Sequence, residues 1–259
     1  MPTRKYGYIK DPYDPRDWKF SAIHAPKAAP LPDKVSLRSK FKEKPYDQGE
    51  LGSCSAQAAT AAFTFVHDGG PYSRLALYYQ ERVLEGTVEH DSGAFLRDAI
   101  KVLNLQGVGL EKDWPYDISK FAVAPPAIEV QEALENKISA YSSLADGSGI
   151  EYRQCLSDGF PFIIGIQIYQ DFESPEVAQS GVIAMPEYWT QCLGGHAVTV
   201  IGYDNNFDPS AHGADGKVEP YYEVRNSWGT DWGDDGHFWI PARYLEDPKL
   251  ATDAWTIRK

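Results

Sequence analysis

Asp47-Gln48-Gly49-Glu50-Leu51-Gly52-Ser53-Cys54-Ser55 leads directly into the run AQAATAAFTFV, residues 56–66. That run is rich in alanine and free of Pro and Gly, so residues 53–66 read as a buried helix. A glycine turn precedes it, which puts Cys54 in the first helical turn. A thiol there meets the positive end of the helix dipole, which favours the thiolate. Gly52, Ser53, Ser55 and Ala56 are small and leave the sulfur approachable. A small cysteine that merely packs a helix would fit the same string, and this segment alone leaves both readings open.

Outward from this helix, Gly69-Gly70-Pro71 breaks the pattern. Residues 73–84, 93–105, 128–138 and 151–157 carry helical spacing of apolar positions. The pattern then changes. Residues 161–169, 197–203, 221–225 and 237–240 are short runs of β-branched and aromatic residues, the signature of strands. A helical first half followed by a stranded second half predicts an α+β fold in two lobes. Residues 205–220, polar and holding Gly and Pro, read as a surface loop. At the other end, residues 1–30 carry Asp11-Pro12, Asp14-Pro15, Pro26 and Pro30, with Tyr6, Tyr8, Tyr13, Trp18 and Phe20 between them. Proline and the residue before it favour extended backbone, so this segment reads as an arm lying on a surface, with a poorly ordered tail as the alternative.

Two more strings carry possible chemistry. Gly194-Gly195-His196-Ala197-Val198 sets a histidine in a glycine turn just before a strand. A lone histidine is more often structural than catalytic. Asn226-Ser227-Trp228-Gly229-Thr230-Asp231-Trp232-Gly233 is an uncommon string whose bland reading is an aromatic β-turn.

Taken in order, the three strings resemble the papain-like cysteine peptidases. Cys54 and His196 are 142 residues apart, and His196 and Asn226 are 30 apart. The family's Q-G-x-C-G-S-C-W stands here as residues 48–55, its H-A-V as residues 196–198, and its N-S-W-G-x-x-W-G as residues 226–233. Gly236, Phe238 and Ile240 match the G-x-[FY]-x-I that follows. The likeness covers about residues 31–259. It implies a two-lobe papain-like fold, with a helical lobe (roughly 31–140) and a β-rich, barrel-like lobe (roughly 141–259) on either side of an active-site cleft.

The resemblance also implies roles. Cys54 is the expected nucleophile, made thiolate by a proton-accepting imidazole, His196. A lowered thiol pKa is a known property of this family, carried over here as an expectation. His196 then serves as general acid, and Asn226 orients its ring as the third member of the triad. Gln48 and the Cys54 backbone N–H are the expected oxyanion donors. Trp228 is expected to shield the His196–Asn226 bond. Substrate contacts are implied at Ser92 and Gly93, at Gly195, at Trp228, and at Asp253 near the floor of the specificity pocket. An inward Asp253 would favour a basic side chain two residues before the cleaved bond; an outward one would be a surface acid. No metal or other cofactor is implied, and the expected partner is a peptide or protein substrate.

Three departures from the family stand out. Leu51 replaces the cysteine usually found three residues before the nucleophile, so the neighbouring disulfide cannot form. Ser55 replaces the usual Trp. A short arm, residues 1–30, stands where animal and plant members carry a long helical prosegment, and is expected to lie across or beside the cleft and limit access, because an extended aromatic strand suits a groove built for extended peptide. These traits fit a bacterial or viral-type branch.

Composition sets the outer bounds. The 259 residues carry 25 Lys+Arg against 37 Asp+Glu, a net charge of −12 that argues against general binding to polyanions. Three cysteines, Cys54, Cys155 and Cys192, cannot build a disulfide scaffold; Cys155 and Cys192 are left either paired or free. No secretory signal and no run of 18 apolar residues is visible, which sets a cytoplasmic expectation. Two rival functions share these strings: acyl transfer or deamidation with the same triad, and a peptide-binding module without catalysis.

Overall fold

The computed structural model describes residues 4–24 and 30–259; Pro26 of the arm lies outside them. The chain runs β1 (Tyr8–Ile9), α1 (Phe20–Ile23), β2 (Lys34–Ser36), α2 (Cys54–Val66), α3 (Arg74–Glu85), β3 (Ala94–Phe95), α4 (Leu96–Leu105) and α5 (Ala127–Ala133). It continues through β4 (Ala140–Leu144), α6 (Gly149–Ser157), β5 (Phe162–Tyr169), α7 (Pro175–Ser180), β6 (Cys192–Phe207), β7 (Glu219–Arg225), β8 (His237–Pro241), α8 (Ala242–Leu245) and β9 (Ala251–Arg258).

Helices and sheet segregate as the two-period pattern requires. Ten consecutive residues of α2, Cys54 to Phe63, are buried. A helix apolar all round must be enclosed on every side, and the alanines let neighbours approach closely. Leu75, Leu77 and Tyr78 of α3 and Leu96, Ile100 and Leu103 of α4 close one side. The sheet closes the other, through Ile163, Ala197, Trp255 and Ile257. Along β5 the side chains alternate: Phe162, Ile164, Ile166 and Ile168 point into the second core, with Val198, Val200, Tyr222, Val224 and Phe238.

The sheet is antiparallel, in the order β4-β9-β5-β6-β7-β8, with β2 also on β6. Residues 34–36, assigned from sequence to the helical lobe, therefore extend the β-rich side, pairing Val35 with Tyr203. Register brings Gly165 opposite Ala197 on one side and Thr252 on the other. Ile166 pairs with His196, and Thr199 pairs with Arg225, one residue before Asn226.

Some boundaries differ from the expectation. The helix placed at 93–105 starts at Leu96, because Ala94 and Phe95 pair in parallel with Tyr8 and Ile9 of the arm. Gly93 makes that turn with φ +76°, a conformation only glycine adopts freely. The helix placed at 128–138 stops at Ala133, where the chain turns so that the Asn136 carbonyl accepts from the Val108 backbone N–H (3.2 Å). β6 runs past both ends of 197–203, so the loop placed at 205–220 begins after Phe207. β4 has no counterpart among the strands expected from sequence. No helix is long and apolar enough to cross a membrane among the described residues.

Candidate active site

Cys54 opens α2 after the Gly52-Ser53 turn and is fully buried. The turn is held from outside the helix. The Asp91 carboxylate accepts from the Gly52 backbone N–H (3.0 Å) and from Tyr78 Oη (2.6 Å). Gln48 lies in the same turn, also buried. Its Oε1 accepts from Ser227 Oγ at 2.6 Å, which turns its Nε2 toward the cleft. Tyr116 Oη donates to the Gln48 carbonyl (2.9 Å) and lies 2.6 Å from Ser53 Oγ, bracing the segment from the helical side.

His196 comes from the sheet. Its Nε2 lies 2.9 Å from Asn226 Oδ1. The same Oδ1 accepts from the Ser227 backbone N–H at 2.9 Å, which fixes it as the oxygen of the amide. Nε2 must then be the protonated nitrogen of a neutral ring, leaving a lone pair on Nδ1. Nδ1 is buried and has no hydrogen-bond partner. The Trp228 ring lies over His196 with centroids 5.2 Å apart and planes 30° apart, and Phe172 and Trp232 back it. Water is thereby kept from the His196–Asn226 bond. Ala197, the next residue, hydrogen-bonds the Cys54 sulfur through its backbone, as do Ser55 and Gly7.

Burial pushes the Cys54 thiol up to about 11, against the opposing effect of those backbone donors. Burial also brings the His196 imidazole down to about 4, the charge of Arg4 adding to it. Burial thus favours the neutral form of each group while the arm is docked.

Residues 4–11 lie in the cleft. The Arg4 guanidinium stands 4.1 Å over the Trp228 ring. The Tyr6 ring meets His196 edge-on at 6.2 Å, and its hydroxyl bonds Glu173. The Lys5 carbonyl is 3.3 Å from Gln48 Nε2. Gly7 threads between Gly52 and Gly93: a Cβ on Gly7 would stand 1.8 Å from the Gly52 carbonyl oxygen, and one on Gly93 2.0 Å from that of Gly7. The Gly7 carbonyl accepts from the Ala94 N–H (2.9 Å). Tyr8 Oη reaches Asp253 Oδ2 (2.5 Å) and Thr252 Oγ1 (2.8 Å). The Asp11 backbone N–H donates to the same Asp253 oxygen (2.6 Å).

Cys54, Gln48, His196, Asn226, Trp228, Gly93, Gly195 and Asp253 thus converge on one cleft. The Asp253 carboxylate points to Tyr8 and Asp11 of the arm. The Ser92 side chain does not join them: the residue is exposed, and its hydroxyl turns to Thr87 Oγ1 and to the Gly93 carbonyl. Cys155 and Cys192 are both free, one buried against Thr256 and the other exposed. Ser55, in place of the usual Trp, donates to the buried Glu81 (2.6 Å). Sequence reading missed Tyr116, Asp91 and Gly165, whose places depend on long-range packing. Ser227 lay inside a quoted string, and its hydroxyl beside Gln48 could have been suspected.

Residues 31–255 match the family described as "Papain family cysteine protease". The chain belongs to that family and is a papain-type cysteine protease. It is 34% identical to a peptidase C1-like protein of Acanthamoeba polyphaga mimivirus, over 99% of this chain and 88% of that one. Xylellain, a cysteine protease from Xylella fastidiosa, is similar in structure with a TM-score of 0.82 and 34% identity, covering 100% of this chain and 98% of that one. A Carica candamarcensis cysteine protease shares the fold at a TM-score of 0.63 and 20% identity, over 88% and 99% of the two chains.

Proposed function

We propose that this protease cuts peptide bonds through Cys54, His196 and Asn226, and that its own arm holds it closed. The observation that carries the reading is the His196 ring. Its Nε2 is committed to Asn226, while its unpartnered Nδ1 is buried next to the residue whose backbone bonds the Cys54 sulfur. With peptide in place of the arm, Nδ1 takes the thiol proton as sulfur attacks the carbonyl carbon. Gln48 Nε2 and the Cys54 N–H receive the negative oxygen. The C–N bond breaks as the imidazolium returns its proton to the leaving amine, leaving a thioester. Water then adds to the thioester carbon, its proton passing to Nδ1, and the thiol is restored as the acid product departs.

The arm satisfies the same groups without offering a bond to cut. Gln48 is met by the carbonyl of residue 5, while the sulfur is met by the backbone of residue 7. A scissile carbonyl would have to serve both places at once, so the arm sits out of register and persists. The test is labelling with a thiol-directed epoxide alongside peptide hydrolysis, in wild type and Cys54→Ala. Labelling confined to Cys54, with hydrolysis abolished by the substitution, is the expected result. Hydrolysis undiminished in Cys54→Ala would discard the mechanism.

A further inference from the structure

We infer that the pocket now filled by Tyr8 selects a tyrosine side chain in the substrate, with Gly165, Gly195, Thr252 and Asp253 as its specificity-determining residues. This rests on the reading of the cleft as a peptide-cleaving site and names the side chain that the cleft prefers.

The pocket is shaped by what is missing from its walls. A Cβ on Gly165 would stand 2.0 Å from the Tyr8 Cζ and 2.3 Å from both of its Cε atoms. One on Gly195 would stand 2.7 Å from Cδ1. The phenol ring therefore lies flat on two bare stretches of backbone from adjacent strands, and any other residue at Gly165 would displace the far end of the ring. Register makes this slot: Gly165 pairs with Thr252 across β5 and β9, while Gly195 is opposite Gln167 on β6. The floor is then supplied by β9. Thr252 Oγ1 and Asp253 Oδ2 both lie within hydrogen-bond reach of the phenol oxygen.

Asp253 is aimed there by its backbone. Its φ of +61° is rare for a residue with a side chain and costs conformational energy, which persists only where the surroundings impose it. Its backbone N–H donates to Asp146 Oδ1 at 2.9 Å, an anchor that holds the twist. The result is a partly buried carboxylate at the end of a flat slot, at the distance of a phenol hydroxyl. A phenylalanine would fill the slot and leave the carboxylate without its donor. Sites built to hydrogen-bond a hydroxyl reject analogues that lack it far more strongly than apolar pockets reject a missing methylene. A lysine or arginine would meet the carboxylate but leave the flat walls poorly covered. The expected order is tyrosine first, then basic side chains, then phenylalanine and leucine.

Two readouts on the full-length chain test this. The first needs no catalysis. Tyr8→Phe keeps the ring and removes only the hydroxyl, so the arm should dock more weakly and Cys54 should alkylate at least about tenfold faster at pH 7 than in wild type. In an Asp253→Asn background, the gap that Tyr8→Phe opens should shrink severalfold. The second uses full-length Tyr8→Ala, in which the pocket is vacated, against fluorogenic peptides that differ only two residues before the cut. Tyrosine should exceed phenylalanine by about tenfold or more in kcat/KM, and Gly165→Val should abolish the advantage. Equal alkylation of wild type and Tyr8→Phe would overturn the inference, as would a preference for arginine or phenylalanine among cleaved peptides. If no peptide is cleaved at all while Tyr8→Phe still exposes Cys54, the peptidase reading fails and the selectivity of the pocket stands.

Discussion

Gly7 is the point at which the arm can be dislodged with least damage to the rest of the chain. A Cβ there would lie 1.8 Å from the Gly52 carbonyl oxygen and 2.5 Å from its carbon. Those are backbone atoms of the turn that carries Cys54, so neither side can yield by a rotamer change. Gly7→Val should therefore expel residues 4–11 from the cleft, withdrawing Tyr8 and Tyr6 from the edges of the two cores while leaving the rest of both in place. The consequence should be read at the thiol. In the closed form, burial holds Cys54 at about 11, which leaves a thiolate fraction of about 10⁻⁴ at pH 7. Opening restores water to the sulfur. Return to the ordinary value of 9.0 alone would raise that fraction about a hundredfold, since each unit is about 1.4 kcal/mol.

More should follow, because the groups that favour thiolate do not leave with the arm. The N-terminus of α2, the Ala197 backbone and His196 all stay, while Arg4, whose charge opposes imidazolium, departs. The pair can then exchange its proton, and a thiol so placed reaches values near or below about 7. Alkylation at pH 7 should accordingly rise by about 10³ to 10⁴ in Gly7→Val. The pH–rate profile, measured with iodoacetamide from pH 4 to 10, should move its inflection from the alkaline end to near neutrality or lower. A faster rate with the inflection left at the alkaline end would mean that the arm limits access only. An unchanged rate would refute the arm's part in setting the protonation state.

Docking of the arm should itself depend on pH. Burial pushes the Asp11 carboxyl up to about 7, with the Asp253 charge adding to it, against the opposing Arg97 and Trp255 hydrogen bonds; Glu85 in turn feels the Asp11 charge. Because the docked value lies above the free one, the docked form binds the proton more tightly. Docking is therefore strongest below about pH 4 and weakens as pH rises through 7, by up to about 4 kcal/mol. Cleavage of the arm by an added protease should increase from pH 5 to 8 in wild type, and Asp11→Asn should flatten the dependence; an unaltered slope in that variant would assign the effect elsewhere. In an arm-opened background, Gln48→Ala should lower kcat by about 10²–10³ with little change in KM, and a loss below threefold in a peptide assay would remove Gln48 from the oxyanion site.

What the sequence disclosed follows the range over which each signal acts. The α2 helix was legible because composition alone forces it: alanine, no breakers, and a glycine turn in front. The strands at Phe162–Tyr169 and His237–Pro241 were legible for the same local reason. β4 escaped because Ala140–Leu144 holds two serines and derives its strand character from pairing with β9, more than a hundred residues away. The delayed start of α4 escaped because its first two residues were claimed by the arm. The direction of the Ser92 hydroxyl was not legible, because it follows from Thr87, which the fold brings to 3.0 Å. The burial around Cys54 was not legible, because a dipole argument is local, whereas the arm residues Gly7, Tyr6 and Arg4 reach the site from a distant part of the chain.

The arm and the pocket constrain each other in a way neither local string could reveal. To close the cleft without being cut, the arm must hold its strongest contact off the register that a substrate uses. It does so by anchoring at Tyr8 and Asp11 on one carboxylate, Asp253, and at Arg4 and Tyr6 on the rings around His196. Those two anchors fix the span between them, and the span places the Lys5 carbonyl at Gln48 and the Gly7 backbone at the thiol. On the proposed reading, the span between the two anchors, and not the filling of the pocket by itself, keeps the arm from being cut. Any substrate that displaces the arm must satisfy Asp253 as well as Tyr8 does while shifting its carbonyl onto the sulfur. On the proposed reading, the same aspartate sets both the threshold for opening and the preference of the opened site.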